Sequence, residues 1–327
     1  MTKATLHEKL LIAINQNRID VVKEILNLGV DPNAMNGDAL IRSINLGAIE
    51  IVSLLLDRGA DVNRKNMHHC DESWPICQAV KSGNLDMVNL LLDRGADINI
   101  HNGKPLILAV KRENLQMVRL LIERGADVWG KGAYVGKTGQ AFYEAVDKKN
   151  FEIFKELFLV ISKSPHTEST KSIFHDLLVY SIRFQFKKGI DFLLENDLVR
   201  WLSTPLSEAI IAGDLGTIEN LLSKGAQHGN EINEAISCKK WDILKFLISK
   251  GLKYNPNECL KRCVESPELV EFFIKQKVDA ASIQSAFENA VYNRCKRSAQ
   301  ILLENGATPT TEMMPKLIEM GVGIFGL

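Results

Sequence analysis

The chain has 327 residues, 46% of them hydrophobic, with 40 basic side chains against 40 acidic ones. A chain of this length holds about two domains' worth of material with ample apolar content for a core. The zero net charge excludes any global electrostatic case for nucleic acid or an anionic membrane as partner.

The N-terminal stretch MTKATLHEKLLIAINQNRID lacks the uninterrupted apolar segment of a signal peptide. No apolar run approaches the roughly 18 residues of a membrane span. Six cysteines (Cys70, Cys77, Cys238, Cys259, Cys263, Cys295) lie at irregular spacings with no C-x-x-C pair, so reduced, buried thiols are expected. The expectation is a soluble, cytoplasmic protein without cofactors.

The rest of the chain is repetition. VVKEILNLGVDPN (21–33) is followed by IVSLLLDRGADVN (51–63), MVNLLLDRGADIN (87–99) and MVRLLIERGADVW (117–129), with fainter copies at 217–229, 243–255 and 299–309. Each copy follows a shorter apolar segment centred on a small residue: Ala13, Ser43, Ala79, Ala109, Ala145, Ser181, Ala209, Ala235, Cys263 and Ala290. In seven of these ten units a glycine falls sixteen residues later, at Gly29, Gly59, Gly95, Gly125, Gly225, Gly251 and Gly306.

The residue types predict two helices per unit. The small residue lets neighbouring first helices approach closely. The second helix carries apolar positions at i, i+3 and i+4, such as Val88, Leu91 and Leu92, and its glycine supplies the left-handed position that ends it. Thr204 before Pro205 reads as an N-cap, and Thr5 with Glu8 and Ser285 with Glu288 read as capping boxes. One helix pair cannot bury its own apolar faces, so the units must stack.

STPLSEAIIAGDLGTIENLLSKGA (203–226) and GKPLILAVKRENLQMVRLLIERGADV (103–128) resemble ankyrin repeats, and the resemblance recurs in register over nearly the whole chain. It implies an all-α, ankyrin-type helical-hairpin solenoid of about ten repeats with a few extended finger loops, used to bind other proteins. The irregular spacing, 26 to 36 residues between the small positions, is similar to that of ankyrin chains from intracellular bacteria. By that analogy the chain is an effector working in a host cytosol. The expected organisation is residues 1–129 as four N-terminal units, 130–202 as divergent central repeats with long loops, and 203–327 as short-period units ending in a capping helix. An unrelated insertion over 140–200 is the alternative for the centre.

In ankyrin stacks, the positions just beyond the small residue face the concave groove. In the third to sixth units these supply Lys81, Lys111, Arg112, Lys148 and Arg183, opposed only by Asp147. A basic stripe suited to an acidic segment of a partner protein is expected, against the alternative of ordinary solvated helix faces. Trp129, which stands where the other copies have asparagine, and Tyr134 are candidate aromatic anchors on a finger. For Trp74, packing under its own loop is preferred.

Other motifs carry less. Gly136-Lys137-Thr138 ends like a phosphate-binding loop, but the first glycine of that motif would fall on Lys131 and no strand precedes it. His68, His69 and Cys70 are adjacent, so their side chains diverge rather than share a metal. A cysteine nucleophile at Cys70 or Cys238, or a catalytic site in the divergent centre, is the rival enzymatic reading. Ser164 before Pro165 in the loop 162–172 is a modification candidate in what reads as a linker.

Overall fold

The computed structural model describes residues 3–66, 73–129, 139–162, 168–196, 202–227 and 229–323. Among the described residues there are twenty-one helices and no strand. The chain divides into two compact units, Met1–Val199 and Arg200–Leu327.

The first unit holds six helix pairs. They are α1 (Lys3–Asn15) with α2 (Ile19–Asn27), α3 (Ala34–Asn45) with α4 (Ile49–Asp57), and α5 (Pro75–Ser82) with α6 (Leu85–Asp93). The series goes on with α7 (Ile100–Lys111) and α8 (Leu115–Glu123), α9 (Gln140–Asp147) and α10 (Phe151–Ser162), α11 (Glu168–Arg183) and α12 (Lys187–Glu195). The first helices pack in sequence, α1 on α3, α3 on α5, and so on to α11, while α2 packs on α4, α8 on α10, and α10 on α12. This is a two-layer stack. In the centre, α9 packs on α7 and α10 on α8, and α11 and α12 pack on α9 and α10 in turn.

The second unit repeats the scheme with α13 (Ser203–Ala212) and α14 (Leu215–Ser223), α15 (Glu231–Ser237) and α16 (Trp241–Ser249), α17 (Pro256–Arg262) and α18 (Pro267–Ile274). It closes with α19 (Ala280–Tyr292), α20 (Lys296–Glu304) and a single helix, α21 (Met314–Met320), whose Leu317 is fully buried.

All ten small residues lie in or at the end of the first helix of a pair, and none is more than 3% exposed. All seven glycines have positive φ, from +81° to +99°. At Gly59 the physics is explicit: its N–H donates to the Leu56 carbonyl at 3.0 Å and that of Ala60 to Leu55 at 2.9 Å, which closes α4 with a left-handed residue that a Cβ would strain.

The capping expectations need correction. Thr204 and Pro205 both lie in the first turn of α13, which follows Leu202. Ser285 and Glu288 are interior to α19, because Asp279 accepts the Ser282 N–H at 2.6 Å and starts that helix earlier. Thr5 is interior to α1. Besides Asp279, and Asn255 before α17, caps operate on second helices, where Asn84, Asn114, Asn150 and Asp214 each accept the N–H three residues on. Each satisfies a donor the helix cannot.

The G-A-D-x-N segments tie successive repeats together. Asn33 donates to the Gly59 carbonyl at 2.8 Å and accepts from the Asp61 N–H at 2.7 Å. Asn63 does the same with Gly95 and Asp97 at 3.0 and 2.8 Å, and Asn99 accepts from Asp127 at 2.8 Å. Asp31, Asp61 and Asp97 hold each asparagine in place by accepting its backbone N–H at 2.9 Å. Replacing Asn63 with alanine removes two inter-repeat bonds at an exposed site. A loss of about 1 kcal/mol in urea denaturation is the expected outcome, and an unchanged midpoint would show the ladder to be energetically idle.

Candidate protein-binding surface

Because the first helices pack side by side, their C-terminal ends form one row. Lys81 lies in the last turn of α5, Lys111 and Arg112 at the end of α7, Asp147 and Lys148 at the end of α9, and Arg183 and Phe184 at the end of α11. Lys81 is half-buried and the other six are exposed. Lys111, Arg112 and Lys148 make no ion pair among the described residues. A cation at a helix C-terminus is favoured by the macrodipole whatever the protein does. The dipole explains one cation per helix, but not the doubled Lys111–Arg112 or the continuation of the row into Lys148, Lys149, Lys187 and Lys188.

Those last four lysines line a cleft of about 440 Å³ at the turn end of the row, together with Phe151, Gln185 and Phe186. Of its two acids, Glu113 accepts the Asn150 side-chain amide at 3.1 Å. Asp147, the acid within the row, accepts the Tyr180 hydroxyl at 2.7 Å. Burial, then that bond, push the Tyr180 hydroxyl up to about 12. Burial followed by nearby Asp176 raises Tyr143 as well. The Tyr143 and Tyr180 rings meet edge-on at 4.9 Å, and Tyr180 stacks on Phe184 at 4.4 Å.

These tyrosines were not singled out from sequence. The signal was their position, immediately before or two before the small residues Ser181 and Ala145.

Trp129 is half-buried, its ring 6.2 Å from Phe142 and 6.5 Å from Phe174, and its carbonyl accepts the Gly139 N–H at 2.7 Å. Lacking an asparagine amide, it meets the next two pairs by ring packing instead. Trp74 is half-buried at the start of α5, with the Lys65 ammonium 5.5 Å from its ring. Tyr134, His68, His69, Cys70, Ser164 and the loop Gly136–Thr138 lie outside the described residues.

Of the described cysteines, Cys238, the nucleophile candidate, is a half-exposed free thiol, and three others are buried. Cys77 is fully buried, and burial pushes the thiols of Cys259 and Cys263 up to about 11 and about 12. At neutral pH neither forms an appreciable thiolate. Burial also raises the half-exposed Cys295. No helix among the described residues is long and apolar enough to cross a membrane, and no group of three His, Cys, Asp or Glu side chains among them could hold a metal ion.

Two stretches, residues 7–66 and 64–132, match the family model described as ankyrin repeats (3 copies). No curated protein matches the chain.

Proposed function

Since residues 7–132 are ankyrin repeats and such repeats generally mediate protein–protein interaction as non-enzymatic scaffolds, we propose that the chain binds another protein, as a monomer and without catalysis. The contact is the row of first-helix ends, with Lys81, Lys111, Arg112, Lys148 and Arg183 receiving an acidic segment of the partner. The single observation that carries this reading is the adjacency of exposed Lys111, Arg112 and Lys148 on neighbouring helices with no ion pair among the described residues. Trp129 and Tyr134 are further aromatic contacts for the partner on this reading. On this reading the chain works in a cytosol, its own cell's or a host's if it is an effector. Five free thiols among the described cysteines suit such a reducing compartment.

Charge reversal tests the row. The pair Lys111→Glu and Arg112→Glu is expected to weaken partner capture by tenfold or more at low salt, with the wild-type interaction itself fading as salt screens exposed charges. Cross-linking through amines on the captured complex should place the partner at Lys81, Lys111 and Lys148. Undiminished capture by the reversed chain would remove the row from the binding surface.

A further inference from the structure

Phe184 is 40% exposed, in a row whose other members are charged. An apolar ring kept in water at the end of a helix invites an explanation, and its surroundings provide one. Phe184 stacks on Tyr180 at 4.4 Å with the planes 30° apart, and Tyr180 meets Tyr143 at 4.9 Å with the planes 84° apart. The Tyr180 hydroxyl is fixed by donating to Asp147 at 2.7 Å. Three rings are thus held in place before any partner arrives, so little rotamer freedom remains to be lost on contact. The same hydrogen bond fixes the one acid of the row, which is outnumbered by Lys81, Lys111, Arg112, Lys148 and Arg183.

Resting on the reading that the row receives an acidic protein segment, we propose that this segment also carries an aromatic or large aliphatic residue, which seats on the platform of Phe184, Tyr180 and Tyr143. The stack sets its spacing. Lys111 and Arg112 end α7, Phe184 follows α11, and α9 lies between them. Two packing steps of 8–10 Å separate the basic pair from the platform by about 20 Å, which an extended chain covers in about six residues. The occupant is an extended peptide with acidic residues and, about six positions away, an apolar anchor. The acids supply steering and the anchor supplies desolvated contact area, the division of labour found in tight interfaces.

The test uses the full chain and fluorescein-labelled synthetic peptides read by fluorescence anisotropy. One peptide carries Glu-Glu six positions from Phe, a second has the reversed order, a third has Phe→Ser, and a fourth has both Glu→Gln. For whichever order binds, the Phe→Ser peptide is expected to bind about tenfold more weakly. The variant Phe184→Ala should lose that preference, binding the Phe and Ser peptides alike, while Tyr180→Phe, which keeps the ring, should retain a preference. Thermal melts matching wild type for Phe184→Ala exclude misfolding as the cause. Equal binding of Phe and Ser peptides to the wild-type chain, equal weakening of both in Phe184→Ala, or no binding by any peptide overturns the platform. If the Glu→Gln peptide is weakened while the aromatic makes no difference, the platform falls and the basic row stands. If Lys111→Glu with Arg112→Glu leaves affinity unchanged, the row itself falls.

Discussion

Replacing Phe154 with alanine is expected to destabilise the first unit by about 3–5 kcal/mol, the largest effect of any single substitution considered for this chain. Phe154 is fully buried in α10, and its ring meets Phe142 of α9 at 5.7 Å, Phe186 at 5.5 Å and Phe192 of α12 at 6.3 Å, each nearly perpendicular. One side chain therefore interlocks the fifth and sixth pairs. Truncation loses the transfer energy of the ring and leaves a cavity that the surrounding aromatics cannot close without breaking their own contacts. In a stack where each pair meets only its neighbours, the damage should stay local. Hydrogen exchange is the measurement: protection should fall over residues 139–196 and persist over α1 to α4. Phe154→Leu, which keeps most of the volume, should recover much of the loss. Uniform loss of protection throughout the first unit would contradict the nearest-neighbour account, and an unchanged urea midpoint would contradict the packing itself.

The pairing of helices was legible in the sequence because each pair obeys local rules. A small residue on the first helix, a 3.6-residue apolar period on the second and a glycine at its end are all short-range signals; where Ile161 and Asp197 replace the glycine, only the spacing of the small residues was left to set the register. Helix starts were less legible. Thr5, Thr204 and Ser285 carry hydroxyls that could cap, but so do many residues inside helices, and Asp279, six residues before Ser285, starts α19 instead. The asparagine ladder was invisible for another reason. Asn33 and Asn63 find their partners 26 to 34 residues away, and nothing local marks an exposed asparagine as a tie between repeats.

The surface divides in the same way. The basic residues of the row were legible because the repeat register places them, position by position, beyond the small residue. The Tyr143–Tyr180–Phe184 platform was not, since it depends on side chains of two helices meeting across 37 positions of sequence (143 to 180). Trp129 shows the limit of substitution reasoning. Its departure from asparagine signalled a change of role, but only the packing on Phe142 and Phe174 shows that the change is from a hydrogen-bonded tie to an apolar one.

Leu121→Ala tests the register on which all of this depends. Leu120, Leu121 and Ile122 are adjacent and equally apolar, so composition cannot say which points inward. The repeat can. Twelve residues after the small position come Leu55, Leu91, Leu121, Leu157, Leu193, Leu221, Leu247 and Leu302, each fully buried, with Ile25 at 6% exposure. The ninth unit departs, because its shorter pair brings Phe273 to the buried place instead. Leu121 packs within α8 between α7 and α10, and its carbonyl accepts the Ala126 N–H at 2.9 Å, so the backbone there has little freedom to collapse into a void. The expected cost of Leu121→Ala is therefore about 2–5 kcal/mol, seen as a lower melting temperature and urea midpoint. Leu120→Ala, at a half-buried position, removes the same atoms from a site that water can reach and should cost well under half as much. Equal losses in the two variants would mean that the second helix is rotated from the face assigned to it. The basic row, placed by counting from the same small residues, would then have to be drawn again.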